Sequence, residues 1–205
     1  MRLARGAAEI QLDGLRSGFA IDRKSAAGDL VTEIDRAAEH AIVEGIRYAR
    51  RDDAILGEEG TDRAGTSGVR WVLDPLDGTA SYVRGYPGFG VSIGIEVDDR
   101  PSVGVVIDAL GRTTVGVADR GAERDGVRAR PAARSALADS IVATGFGYDA
   151  GMRGREAETL GRLIGRIADI RRSGSAAMDL CAVACGRSTP TTSSTSRPGT
   201  RPRAR

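Results

Sequence analysis

"WVLDPLDGTASYV", residues 71–83, ends an apolar run in two aspartates three apart, Asp74 and Asp77, which enclose Pro75 and Leu76 and run into Gly78-Thr79. Pro75 fixes φ and cannot donate to a strand ladder, so the stretch predicts a strand terminated by a tight turn that carries both carboxylates on one side of a loop. Two ionised carboxylates that close repel each other unless a cation lies between them. Hard oxygen donors in such a cluster suit Mg²⁺, which takes one or two carboxylates and leaves room for water and a phosphate group. Gly78-Thr79 predicts the start of a short helix over TASYV, where free N–H groups can meet phosphate oxygens and Gly78 lets the backbone come close. Taken alone, an Asp-Pro-Leu-Asp-Gly run is an ordinary surface turn, so its neighbours decide its meaning.

Those neighbours are acidic and regularly placed. Ile34, Ala37, Ala38, Ala41, Ile42, Gly45 and Ile46 recur at helical spacing, which predicts an amphipathic helix over about residues 32–49, with Thr32, Glu33 and Asp35 as its capped first turn. "AILGEEG", residues 54–60, predicts a short strand ending in Glu58 and Glu59. Three acidic corners, at Asp35, at Glu58 with Glu59, and at Asp74 with Asp77, therefore sit at element ends. From Gly88 the period changes to two, Val91, Ile93, Ile95 and Val97 alternating with Ser92, Gly94 and Glu96, which predicts an antiparallel meander over residues 88–118. "ERDGVRA" adds an Asp-Gly hairpin signal. A strand at about 139–145, a helix at about 153–168, a short strand near 169–172 and a helix over 175–185 complete the ordered part.

The 205 residues, 40% apolar and 28% charged, suffice for one sizeable core. No apolar run approaches the roughly 20 residues of a membrane span, and residues 1–10 carry two arginines without a continuous apolar segment, so a soluble, unexported, cytoplasmic chain is expected. Net charge is +2, yet five arginines and no acid lie in residues 187–205, leaving residues 1–186 with 25 basic and 28 acidic groups, a net of −3. That body offers no basic stripe, and five spaced arginines give only weak, salt-sensitive contacts, so nucleic acid is not expected as a partner. Twelve of residues 188–205 are Ser, Thr or Pro, which predicts a disordered tail behind a single domain over 1–187. Cys181 and Cys185, four apart on one helix face, are read as core packing, and the single histidine, His40, as a helix-face residue. Signals for nicotinamide binding or for a Ser/Cys nucleophile with a nearby base are absent from the sequence.

In order and approximate spacing, "DLVTEID", "GEEG" and "WVLDPLDGTASYV", with the later "RRSGSAAMDLCAVACGR", resemble the motifs of the inositol monophosphatase family of Mg²⁺-dependent sugar and polyol phosphate phosphatases. The resemblance covers about residues 20–187. It implies an α+β fold, the layered αβαβα sandwich shared with fructose bisphosphatases, usually paired as a homodimer. It further implies that Glu58, Asp74 and the carbonyl of Leu76 hold a first Mg²⁺ and that Asp74 and Asp77 contribute to a second. Thr79, working with Glu58, would orient and activate water; Asp35 and Lys24 match the acidic and basic positions before the helix. The Gly78 and Thr79 amides, with Asp77, would bind phosphate, Gly174, Ser175 and Ala176 would contact the substrate, and Glu59 would support its neighbours. The substrate implied is a small phosphate monoester, with inositol 1-phosphate as the family default.

The family continues past the helix at 175–185 with a Trp-Asp motif whose aspartate completes the second metal site, and this sequence has no acid after Asp179. Residues 188–193 can be encoded so that a reading one base earlier gives Leu-Asp-Ala-Tyr-Tyr-Glu, a family-like run, so the tail reads as an out-of-frame stretch. Codons incompatible with that alternative reading would end the idea. The resemblance thus carries two functional expectations, a metal-dependent phosphomonoesterase and a truncated relative that binds metal and phosphate without turnover.

Overall fold

The computed structural model describes residues 1–23, 30–133 and 136–187. It opens with α1 (Arg2–Ser17), an amphipathic helix absent from the expected elements, which buries Ala4, Ala7, Gln11 and Gly14 and packs Leu3, Ala8 and Ile10 against the core. β1 (Ile21–Arg23) and β2 (Leu30–Thr32) pair antiparallel. α2 (Glu33–Ala49) begins behind a capping box: the Thr32 hydroxyl accepts from the Ile34 and Asp35 amides, and Asp35 Oδ2 accepts from the Thr32 amide at 2.7 Å. There follow β3 (Ala54–Gly57), β4 (Asp62–Arg63), β5 (Val69–Asp77), α3 (Thr79–Val83), β6 (Gly90–Val97), β7 (Arg100–Asp108), β8 (Thr113–Val117), β9 (Gly121–Arg124) and β10 (Val127–Arg128). A 3₁₀ turn at Leu137–Asp139 leads to β11 (Ile141–Ala143), α4 (Ala150–Ile164), β12 (Asp169–Arg171) and α5 (Ala176–Ala184).

Eight strands form one sheet in the order β10-β9-β8-β7-β6-β5-β3-β4, and β11 and β12 form a separate parallel pair. Within the large sheet every pairing is antiparallel except β3 with β5. The period-two stretch forms β6, β7 and β8 as expected, and Asp125 and Gly126, both at positive φ, make the β9–β10 turn. α4 begins three residues before its predicted span and ends four before it, because Asp149 caps it by accepting from the Met152 amide at 2.8 Å.

α1 and α2 cover one face of the large sheet. Ala4, Ala7, Ala38, Ile42 and Ile46 from the helices meet Ile55, Leu73, Val91, Ile93, Val105 and Ile107 from the strands. A second cluster of Ile34, Leu76, Tyr82 and Phe89 lies behind the Asp-Pro-Leu-Asp stretch, with the Tyr82 and Phe89 rings edge to face at 5.0 Å. On the opposite face α5 packs against β6, β7 and β11, and Val106 and Thr114 line one cavity with Met178, Cys181 and Ala182. The order helix pair, large sheet, α5 and small sheet is the α+β fold that the family resemblance implies. Cys181 and Cys185 are half-buried free thiols, and His40 is an exposed α2 residue. Among the described residues no helix is long and apolar enough to cross a membrane. Lys24 and the 188–205 tail lie outside the described residues.

Asp53, 1% exposed and immediately before β3, fastens the far end of this core. Its carboxylate accepts from Arg50 Nε at 3.0 Å, Ser67 Oγ at 2.7 Å and Trp71 Nε1 at 2.8 Å. Burial alone would raise its pKa, but the hydrogen bonds from Arg50, Trp71 and Ser67 outweigh burial and hold it below the ordinary carboxylate range. A depressed folded value means that the ionised Asp53 stabilises the fold above the unfolded value of about 4, and that this contribution is lost as pH falls through the lower folded value. Urea unfolding at pH 7 and pH 3 should therefore show D53N less stable than the parent at pH 7 by about 1–3 kcal/mol, with a smaller further loss on acidification.

Candidate active site

The two aspartates converge by a different device from the one the sequence predicts. Pro75 does not end the strand: β5 continues to Asp77, with Asp74 paired to Ser92 and Asp77 to Gly90, so three steps on β5 oppose two on β6. In an uninterrupted strand, residues three apart point to opposite faces. One extra residue restores the parity, and both carboxylates emerge on the same side. Pro75 fits here because a bulge asks for no ladder donor. The bulge is held from behind by Gln11 of α1, 1% exposed, whose Nε2 donates to the Pro75 carbonyl at 2.7 Å. Gln11 is a site-supporting residue that sequence reasoning missed; its one signal is a polar residue on a face otherwise made of alanine and glycine.

β3 lies parallel to β5, and past its end the Glu58 amide donates to the Leu73 carbonyl at 3.1 Å, which sets Glu58 beside Asp74. The Asp74 carboxyl is pushed well above its usual range, first by burial, then by the charges of Glu58 and Asp77 and a hydrogen bond with Glu58. Asp77 is raised too, chiefly by burial, although the Ala177 amide at 2.6 Å and Ser175 Oγ at 2.7 Å donate to its Oδ2 and the Ala176 amide also binds it. Asp77 thereby occupies the N-terminal amides of α5.

Thr79, at the start of α3, directs Oγ1 toward Asp35 Oδ1 and the Leu76 carbonyl, each at 3.0 Å. Asp35 is 1% exposed, and its second oxygen accepts from the Thr32 hydroxyl at 2.6 Å and the Thr32 amide. Asp35 therefore joins the start of α2 to the start of α3. Gly78 is at φ 96°, and a Cβ there would lie 2.3 Å from the Gly88 carbonyl oxygen and 3.2 Å from that of Gly174. The loop of Gly174 is thus packed on the Gly78 turn, while Ser175 and Ala176 turn their donors toward Asp77. The Glu59 amide donates to Glu39 at 2.8 Å.

The residues fit a hard divalent cation by donor chemistry: three carboxylates share one corner, and the burial and mutual repulsion of Asp74 with its neighbours call for positive charge. Their oxygens do not form a ready-made cage, and no group of three or more Asp, Glu, His or Cys stands so arranged among the described residues. Asp74 leans on Glu58, and Asp77 on α5.

Comparison with known proteins shows the family and the fold. The inositol monophosphatase family model matches residues 1–198. The chain is 42% identical over 162 residues to the Nus factor SuhB of Pasteurella multocida, covering 78% of this chain and 61% of that protein. It is 39% identical over 178 residues to the inositol-1-monophosphatase of Mycobacterium bovis, covering 82% and 61%. Among solved structures, the extragenic suppressor protein suhB of Bartonella henselae superposes with a TM-score of 0.86 at 31% identity, covering 91% of this chain and 73% of that one. The Thermotoga maritima IMPase gives a TM-score of 0.82 at 30% identity, covering 91% and 71%. The chain thus spans about three-fifths of the length of these curated relatives.

The crowding of Glu58, Asp74 and Asp77 makes a direct prediction about stability. D74N should raise the metal-free thermal midpoint by several degrees, corresponding to about 1–2 kcal/mol, because it removes a buried repulsive carboxyl. Thermal unfolding in EDTA checks this, and a drop in midpoint would contradict the electrostatic account of the cluster.

Proposed function

The chain belongs to the inositol monophosphatase family, and from that premise we propose that it hydrolyses a small phosphate monoester, inositol 1-phosphate or a related polyol or sugar phosphate, in a Mg²⁺-dependent reaction in the cytoplasm. The observation that carries the proposal is the meeting of Glu58, Asp74 and Asp77 next to the Thr79–Asp35 pair. Glu58, Asp74, Asp77 and the Leu76 carbonyl are the groups that would hold Mg²⁺. When bound, the cation supplies Lewis acidity, which lowers the pKa of water and offsets charge on phosphate oxygens.

The chain's own residues then divide the remaining work. The Thr79 hydroxyl has one proton, which Asp35 Oδ1 and the Leu76 carbonyl are placed to accept, so lone pairs of Oγ1 remain to take a hydrogen bond from an attacking water. Asp35 cannot swing away, because Thr32 holds its other oxygen. Asp77 keeps Oδ2 on the α5 amides, so the loop of Gly174, Ser175 and Ala176 is docked against the carboxylate corner as one wall for the substrate. The Gly78 and Thr79 amides, at the start of α3, are the groups assigned to the phosphate by the family resemblance.

Phosphate release from inositol 1-phosphate and a panel of small polyol phosphates, with and without Mg²⁺, tests the reading. The expected result is Mg²⁺-dependent release that D77N lowers by about 100-fold or more. Absence of release by folded protein on every member of the panel would overturn turnover and leave cation and phosphate binding without catalysis.

A further inference from the structure

Glu39 takes no part in the chemistry just described, yet it is a carboxylate only 4% exposed in the second turn of α2. A buried carboxylate carries a large desolvation cost unless donors surround it, and here the donors come from one short turn. The Glu59 amide donates to Oε2 at 2.8 Å; the Thr61 amide and Thr61 Oγ1 donate to Oε1 at 3.2 and 2.7 Å. The same turn is closed by the Gly57 amide donating to the Thr61 carbonyl at 2.7 Å, and a Cβ on Gly57 would lie 2.4 Å from the Glu39 carboxylate. Glu39 therefore sits beneath the turn that presents Glu58, with the backbone on either side of Glu58 pinned: to Glu39 through the Glu59 amide and to β5 through the Leu73 carbonyl.

We propose that Glu39 is the positioning residue for Glu58, fixing the 57–61 turn so that the Glu58 carboxylate stands against Asp74 ready for a divalent cation. Asp35 and Glu39, four residues apart on one face of α2, then serve as paired anchors, Asp35 for Thr79 and Glu39 for the Glu58 turn. An amide in place of the Glu39 carboxylate brings an NH₂ group against backbone donors, so E39Q cannot satisfy the turn. This inference rests on the metal-dependent reading of the site.

Calorimetric titration with Mn²⁺ as the probe ion, combined with amide hydrogen exchange of the full chain, tests it. E39Q should weaken Mn²⁺ affinity by about 10–100-fold, the range for residues that orient metal ligands, with exchange accelerated in residues 58–61 and unchanged in the β6–β8 meander. D53N, destabilised at the far end of β3, should keep the parent's affinity. E39Q affinity within about twofold of the parent would overturn the role whatever happened to stability. If E39Q does not fold, T61A, which removes a single donor, decides by the same criterion: a smaller weakening supports the role and an unchanged affinity overturns it. A parent chain silent to Mn²⁺ would overturn the metal-dependent function and this role together. That outcome is distinct, because parent and variants would then be equally flat rather than equally tight.

Discussion

The site depends on one extra residue in β5. Because strand side chains alternate, Asp74 and Asp77 can share a face only if the count between them is changed by one, and the bulge against β6 makes that change. The cost is a gap in the ladder and a carboxylate corner in which burial first, and then neighbouring charge, raises the pKa of Asp74 and of Asp77. The surrounding structure offsets it locally: Gln11 takes the Pro75 carbonyl, the Leu76 amide donates to Asp74 at 3.2 Å, and the Ile34, Leu76, Tyr82 and Phe89 cluster fills the space behind.

Support for the bulge comes from the helix layer rather than from the site itself. α1 approaches closely because its inner face is Ala4, Ala7 and Gly14, and a Cβ at Gly14 would lie 2.5 Å from the Tyr82 hydroxyl. That hydroxyl donates to the Gln11 carbonyl at 2.7 Å, and burial pushes its pKa up to about 12. α2 contributes Asp35 and Glu39, whose oxygens are taken up by donors that include Thr79, Thr32 and the turn after β3. Gln11, Asp35 and Glu39 thus tie loops to the two helices through hydrogen bonds to the segments they hold.

Consolidation is uneven across the sheet. The face under α1 and α2 is closed by aliphatic packing, whereas α4 and α5 have no fully buried residue, and Leu180 and Ile164 are 63% and 45% exposed. β11 and β12 make a two-stranded parallel pair, an arrangement that ordinarily belongs inside a larger covered sheet. Asp77 is therefore both a carboxylate of the candidate site and an acceptor for Ser175, the N-cap of α5, and for the first amides of that helix, so charge changes at the site bear directly on how the less consolidated side is docked.

Much of this was legible in the residues alone. Period-two alternation located β6 to β8, helical spacing with a Thr-x-x-Asp box located α2, and the three acidic motifs named Asp35, Glu58, Asp74 and Asp77 before any fold was known. These are local signals, set by backbone sterics and by side chains within a few positions. The sequence could not show that Gln11 of α1 reaches the Pro75 carbonyl, nor that Pro75 sits inside a continuing strand. Nor could it reveal that Asp77 accepts from a helix amide 100 residues away or that Glu39 lies under the Glu58 turn. Those facts depend on strand register and on which buried donor meets which acceptor across the chain. Chemistry by residue type was thus written in the sequence, while the orientation of each carboxylate was decided only by tertiary structure, where parity and desolvation leave each one a single satisfied direction.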